Sequence, residues 1–207
     1  LWLAELESLV KDAPESVTAI EELARAYLQE KRLADADRIV TAQINRAANS
    51  PDARWLLLRG RISLDLGDAE KALSDFRRGA EVSDFSPESV MNVMDAYLRL
   101  GRFPAGVEYF ERYGGEQPAA KLVSRFAQLL ARAGNKLKAV DQFRRAMGLA
   151  VAESSEAIRA VADDALAAFP ADDAIALFAA TPPDATVVRA NERILIQPSP
   201  PRNATTK

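Results

Sequence analysis

The chain has 207 residues, with 27 Lys+Arg against 30 Asp+Glu and neither His nor Cys. Without His or Cys, the usual zinc sites, His general bases, Cys nucleophiles and Ser–His–Asp triads cannot be built. A net charge of -3 argues against binding nucleic acid by phosphate neutralisation, while 48% hydrophobic and 28% charged residues fit a globular chain.

Helical patterning runs through almost the whole sequence. Residues Leu1–Pro14 are apolar at helical spacing. Then come Ile20–Gln29, Trp55–Leu66, Val90–Leu100 and Leu122–Ala133, each with apolar residues at i, i+3, i+4 and i+7. Each is followed by a short break: Lys31-Arg32, Gly67-Asp68, Gly101-Arg102 and Gly134-Asn135. Glycine there accepts the left-handed conformation that ends a helix. Second helices are predicted at Ala34–Ala47, Ala69–Val82, Pro104–Tyr113 and Leu137–Leu149. Thr18 and Glu21 read as a capping box, and Ser50-Pro51-Asp52 and Ser86-Pro87-Glu88 each set a Ser N-cap before a first-turn Pro. Toward the end, Val187–Ile196 is expected to be a capping helix or the first helix of a further pair. Pro198-Ser199-Pro200-Pro201 reads as an extended linker, and Asn203–Lys207 as a polar end.

Three columns recur together. Small residues stand at Ala36, Ala72, Gly106, Ala139 and Ala174, at intervals of 36, 34, 33 and 35. Four residues after each comes Val40, Phe76, Phe110, Phe143 or Phe178, and twelve before each comes Ala24, Gly60, Met94, Ala127 or Ala162. A small residue lets a neighbouring helix approach, and the aromatic one turn later fills the space beside that contact. One helix pair cannot bury its outer face, so such pairs must stack.

A period near 34 with these columns resembles the tetratricopeptide repeat (TPR). One repeat carries Gly60, Gly67-Asp68, Ala72, Leu73, Phe76 and Ala80; the next carries Tyr97, Gly101, Phe103, Gly106, Val107, Phe110, Tyr113 and Pro118. A further one carries Ala127, Leu130, Gly134, Ala139, Val140, Phe143 and Ala146. The first is recognisable from Leu23-Ala24, Tyr27, Ala36 and Val40, while the last has Phe169-Pro170 where Gly-Asp is usual. The resemblance implies an all-α, TPR-like right-handed α-solenoid of antiparallel helix pairs. About five repeats are expected at 15–50, 51–86, 87–118, 119–152 and 153–183, with 184–207 as a capping segment and Pro-rich tail. Residues 1–14 would then be the second helix of a truncated repeat. Starting at Leu1 without a basic leader, the sequence is expected to be an internal piece of a longer protein.

The resemblance also implies a concave groove lined by the first helix of each pair, where a partner segment binds. Counting from Gly60 and its equivalents, the groove residues are Leu57, Arg61 and Leu64; then Met91, Asn92, Asp95, Leu98 and Arg99; then Lys121, Ser124, Arg125, Gln128 and Arg132. Leu57, Leu64, Met91 and Leu98, extended by Leu28, make an apolar strip edged by positive charge. Some TPR modules hold an acidic C-terminal peptide in a carboxylate clamp. Asn92, Lys121 and Arg125 match the last three of its five positions, and Leu57 and Arg61 replace the first two. Tyr27 and Tyr97 fall at inter-helix packing positions, and the Phe column is core.

The enzymatic alternative would have to use Asp163-Asp164 or Asp172-Asp173, but adjacent helical residues point in different directions. Asp172-Asp173 better suits a helix N-terminus. With no Gly-rich phosphate loop or metal-ligand spacing, neither cofactor nor metal is expected. The chain therefore reads as a non-catalytic protein-interaction scaffold, with no nucleic acid and no membrane insertion among its partners. In style it is similar to the TPR scaffold region of bacterial exopolysaccharide-secretion proteins, which implies the periplasm. The alternative is a cytosolic co-chaperone-like adaptor for acidic C-terminal peptides. Leu1, Trp2, Leu3, Leu6 and Leu9 form a further apolar face suited to self-association.

Overall fold

Helix boundaries follow from local cap and turn chemistry. The computed structural model describes residues 2–47, 51–116, 118–170, 185–190 and 193–198, which form two compact units divided between Gly101 and Arg102. In the first unit run α1 (Trp2–Asp12), α2 (Val17–Gln29), α3 (Leu33–Arg46), α4 (Ala53–Asp65), α5 (Ala69–Val82) and α6 (Pro87–Arg99), each packed against the next in order. Ser86 caps α6 with Pro87 in the first turn, as expected. The other two starts differ. The cap of α2 is Ser16, whose Oγ accepts the Ala19 N–H at 3.3 Å, so Thr18 already lies inside the helix. The α4 cap is Asp52, accepting from the Arg54 N–H at 2.9 Å, because Pro51 precedes the helix rather than opening it. Ser50 is outside the described residues.

Gly67, Gly101 and Gly134 all take the left-handed conformation, with φ of 84°, 67° and 86°. Lys31 adopts the same conformation at φ 59° without glycine's freedom. The small–large columns meet as the spacing requires. Phe76 of α5 lies against Gly60 of α4 so closely that a Cβ at that position would collide with the ring. Phe76, Val40, Ala24 and Ala36 are all buried in this unit. Beside that contact Arg59 makes a two-pronged bond to Asp75, at 2.6 and 2.8 Å, with both side chains largely buried. The Asp75 carboxylate holds the Arg59 guanidinium above its ordinary pKa against the effect of burial. Tyr27 is buried too, and its hydroxyl donates to Glu7 at 2.9 Å, fastening α1 to α2.

The second unit holds α7 (Phe103–Tyr113), α8 (Ala120–Arg132), α9 (Lys136–Glu153) and α10 (Ser155–Ala168), with α8 packed against the other three. Phe110 stacks on Phe126 at 4.1 Å, and Phe143 meets Phe169 edge-on at 5.8 Å. Helix α8 has no cap of its own, since Ala119 stands there; Glu153, at the far end of α9, accepts the Ala120 N–H instead at 2.9 Å. The expected helix at Val187–Ile196 is corrected. β1 (Ala185–Ala190) and β2 (Arg193–Pro198) form an antiparallel hairpin with Ala190 opposite Arg193, and β2 runs beside α10. Ala174, Phe178, Asp172-Asp173 and residues 199–207 lie outside the described residues. Among the described residues, no helix is long and apolar enough to cross a membrane.

Candidate functional site

The first unit contains a cleft of about 260 Å³ where α2, α4 and α6 come together. Its apolar lining is Trp55, Leu57 and Leu58, all from α4. Charge comes from Glu21 and Arg25 on α2, Arg54 and Arg61 on α4, and Glu88 on α6, with Asn92 of α6 completing the wall. Two of these arginines are already engaged. Arg25 bonds Glu21 at 2.6 Å, and Arg54 bonds Asp52 at 2.7 Å. The Arg54 guanidinium holds the Asp52 carboxyl below the usual carboxylate range.

Arg61 is different: it is exposed and makes no hydrogen bond or ion pair among the described residues. Asn92 is only 9% exposed, yet its side-chain amide makes no hydrogen bond among the described residues either. That amide lines the cleft and is open to solvent there. The cleft therefore contains an unmet donor and acceptor next to an unpaired cation and an apolar surface.

Of the sequence-predicted groove residues, the cleft brings together Leu57, Arg61 and Asn92. Leu64, Met91, Asp95 and Leu98 are half-buried elsewhere on α4 and α6, and Arg99 is exposed. Sequence reasoning missed Glu21, Arg25, Arg54, Trp55, Leu58 and Glu88. The signal was present, because Arg54, Leu57, Leu58 and Arg61 stand at i, i+3, i+4 and i+7, and Glu88 precedes Asn92 by one turn. Counting only forward from two or three residues before Gly60 cut that turn off.

In the second unit the corresponding face is engaged within the chain. Ser124 Oγ donates to Asp164 Oδ2 at 2.8 Å, and Gln128 Nε2 donates to Asp164 Oδ1 at 2.9 Å and to the Asp164 carbonyl at 3.2 Å. Arg125 Nη1 donates to Gln128 Oε1 at 2.5 Å and lies 3.6 Å from Asp164. Arg132 reaches the Ala167 carbonyl at 3.3 Å, and Lys121 is exposed. The second Asp of the Asp163-Asp164 pair is thus a helix-to-helix acceptor, while Asp163 is exposed.

No protein-family model matches this chain, and no curated protein matches it. Solved structures do. A tetratricopeptide repeat protein from Parabacteroides merdae is 16% identical, covering 87% of this chain and 73% of its own, with a TM-score of 0.66. MamA from Desulfovibrio magneticus RS-1 is 13% identical over 80% of this chain and 92% of its own, at 0.60. YrrB, described as a TPR protein with an unusual peptide-binding site, is 12% identical over 84% of this chain and 93% of its own, at 0.58. At such identities the likeness is one of fold: the helical body is an all-α TPR-type solenoid.

Proposed function

From that fold as premise, we propose that the chain is a non-catalytic scaffold holding an extended segment of a partner protein against α4 and α6. The observation that carries this reading is the unbonded amide of Asn92, which lines the cleft together with the unpaired Arg61. A peptide backbone offers a carbonyl and an N–H together, which one Asn side chain can satisfy at once. Arg61 binds a carboxylate in two-pronged fashion where Lys would offer a point charge. Leu57, Leu58 and Trp55 receive an apolar side chain. At about 260 Å³ the cleft is below the range of about 300–1,000 Å³ typical of small-molecule sites, which favours a side chain over a cofactor. The partner segment is thus apolar and acidic in close succession.

Lys121, Arg125, Gln128 and Arg132 enter this reading only as a secondary surface, since Asp164 and Ala167 already take the polar groups of three of them. Similarity in style to exopolysaccharide-secretion scaffolds supports a place in a bacterial envelope polysaccharide-export assembly. The alternative, a cytosolic adaptor for acidic C-terminal peptides, is supported by the presence of Arg61 and Asn92 in one cleft. A second mode, self-association through α1, is favoured by the exposure of Trp2 and Leu9.

Peptides selected from a random library against the full chain test the cleft. Fluorescence anisotropy with the selected peptide should show binding weakened at least about tenfold by Asn92→Leu and by Arg61→Glu, with circular dichroism unchanged. Wild-type affinity in both variants would overturn the reading. Amidating the peptide's C-terminus separates a terminal carboxylate from an internal acid.

A further inference from the structure

Charge is unevenly spread along the chain. Residues 1–30 carry seven acidic and two basic side chains, whereas residues 120–152 carry seven basic ones and a single acid, Asp141. On α1 the exposed residues Trp2, Glu5, Leu9 and Asp12 follow one another at helical spacing and form one stripe. On α9, Leu137, Arg144 and Val151 recur every seven residues along the outer face, with Gly148 among them. Leu137 is 83% exposed and Val151 49%, against 50% for both Trp2 and Leu9. The same face of α5, aligned through Ala72 and Ala139, reads Glu70, Ser74, Arg77 and Glu81, polar throughout. At these positions the outer face is apolar on α9 and polar on α5.

Gly148 marks that face further. Gly60, Gly79 and Gly114 each sit where an added Cβ would meet a side chain, but Gly148 faces open space. A glycine inside a helix costs about 0.5–1 kcal/mol relative to alanine, and no contact among the described residues accounts for it. It leaves a notch between Arg144 and Val151.

We propose that these two stripes are the halves of one interface, in which α1 of one copy lies antiparallel on α9 of a second copy. This rests on the reading of α1 as a self-association surface and supplies the face that receives it. With equal rise per residue along both helices, setting Trp2 over Gly148 brings Glu5 opposite Arg145 and Asp12 opposite Lys138. The register thus pairs the largest exposed apolar side chain with the notch and two acids with two bases, sets Leu9 opposite Asp141, and leaves Leu137 and Val151 at the two ends of the contact. Each copy presents both halves, so the contact is heterologous, and its repetition builds a closed ring or an open chain.

Sedimentation velocity on the full chain, over a concentration series at low and high salt, reads the association. The wild type should grow in mass with concentration, and less so at high salt. Glu5→Lys/Asp12→Lys and Lys138→Glu/Arg145→Glu should each weaken growth at least about tenfold. Mixed one to one, the two variants can alternate through the native contact and its charge-reversed counterpart, and growth should return. A chain carrying all four substitutions should regain growth. Gly148→Leu, which fills the notch without changing charge, should weaken association while leaving helix content intact. Sensitivity to the α1 substitutions with none to those on α9 would overturn the α9 assignment and leave α1 self-association standing. A wild type that stays monomeric throughout would overturn both.

Discussion

Two faces at the same register behave differently in the two units. On α4 the residue at one such position is Arg61, exposed and without a partner among the described residues; on α8 it is Gln128, bonded to Asp164. The difference traces to the next first helix along. Relative to α8, α10 presents Asp164 two residues after Ala162; relative to α4, α6 presents Ala96 two residues after Met94. Ala96 is fully buried and offers only a methyl group, while Asp164 accepts bonds from Ser124 and Gln128. A single carboxylate thus decides whether a face is consumed in helix-to-helix bonding or stays open to a partner.

The largest test of this contrast removes the packing beneath the open face. Phe76→Ala deletes the ring that lies on Gly60 and should destabilise the first unit by about 3–5 kcal/mol. Urea unfolding followed by Trp fluorescence reads that unit directly, because both tryptophans, Trp2 and Trp55, lie in it. An equal loss reported by Trp fluorescence for Phe143→Ala, in the second unit, would mean that the two do not unfold separately.

Next comes the carboxylate itself. Asp164→Ala leaves the Ser124 hydroxyl without its acceptor and the Gln128 amide with only the weaker bond to the backbone carbonyl of residue 164, at about 1–3 kcal/mol in urea unfolding followed by circular dichroism. Asn92→Leu should stay within about 0.5 kcal/mol of wild type, since no internal bond is lost and an unmet amide is replaced by an apolar group. Similar losses for the two variants would erase the distinction. A smaller effect is expected from Glu153→Ala, which frees the Ala120 N–H and should cost about 1 kcal/mol, as for loss of a helix cap.

The smallest effect is in pH. Hydrogen bonding from Arg54 holds the Asp52 carboxyl low, and Arg32 and Arg38 do the same for Asp35. A carboxyl lowered on folding contributes stability that is complete above its unfolded value, 3.8, and is lost as pH falls through the lower folded value. The first unit should therefore weaken in that acid range, and Arg54→Met should flatten the decline. An unchanged acid limb would contradict the role given to Arg54.

Much of the fold could be read before any coordinates. The Gly60–Phe76 pairing was legible because a small residue and a large one must face each other wherever two helices approach closely. The positive φ of Gly67, Gly101 and Gly134 followed for a similar local reason. Caps were harder, because Ser16 and Thr18, or Ser50 and Asp52, are competing oxygen acceptors two residues apart, and only the helix start separates them. The hairpin was missed because Val-Val-Arg-Ala and Ile-Leu-Ile fit a helical stripe as well as a strand until the partner strand is known. The roles of Asp164 and Glu153 had no local signal. Their partners lie 40 and 33 residues away, on helices whose rotation the sequence pattern leaves open.

One spectrum tests the contrast most directly. In a ¹⁵N-labelled full chain, the side-chain NH2 signals of Asn92 and Gln128 can be identified by their disappearance in Asn92→Leu and Gln128→Leu. Adding a library-selected peptide should shift the Asn92 pair strongly, as its amide gains a partner, and leave the Gln128 pair in place. A shift of Gln128 with Asn92 unmoved would contradict the assignment of the open face to the first unit.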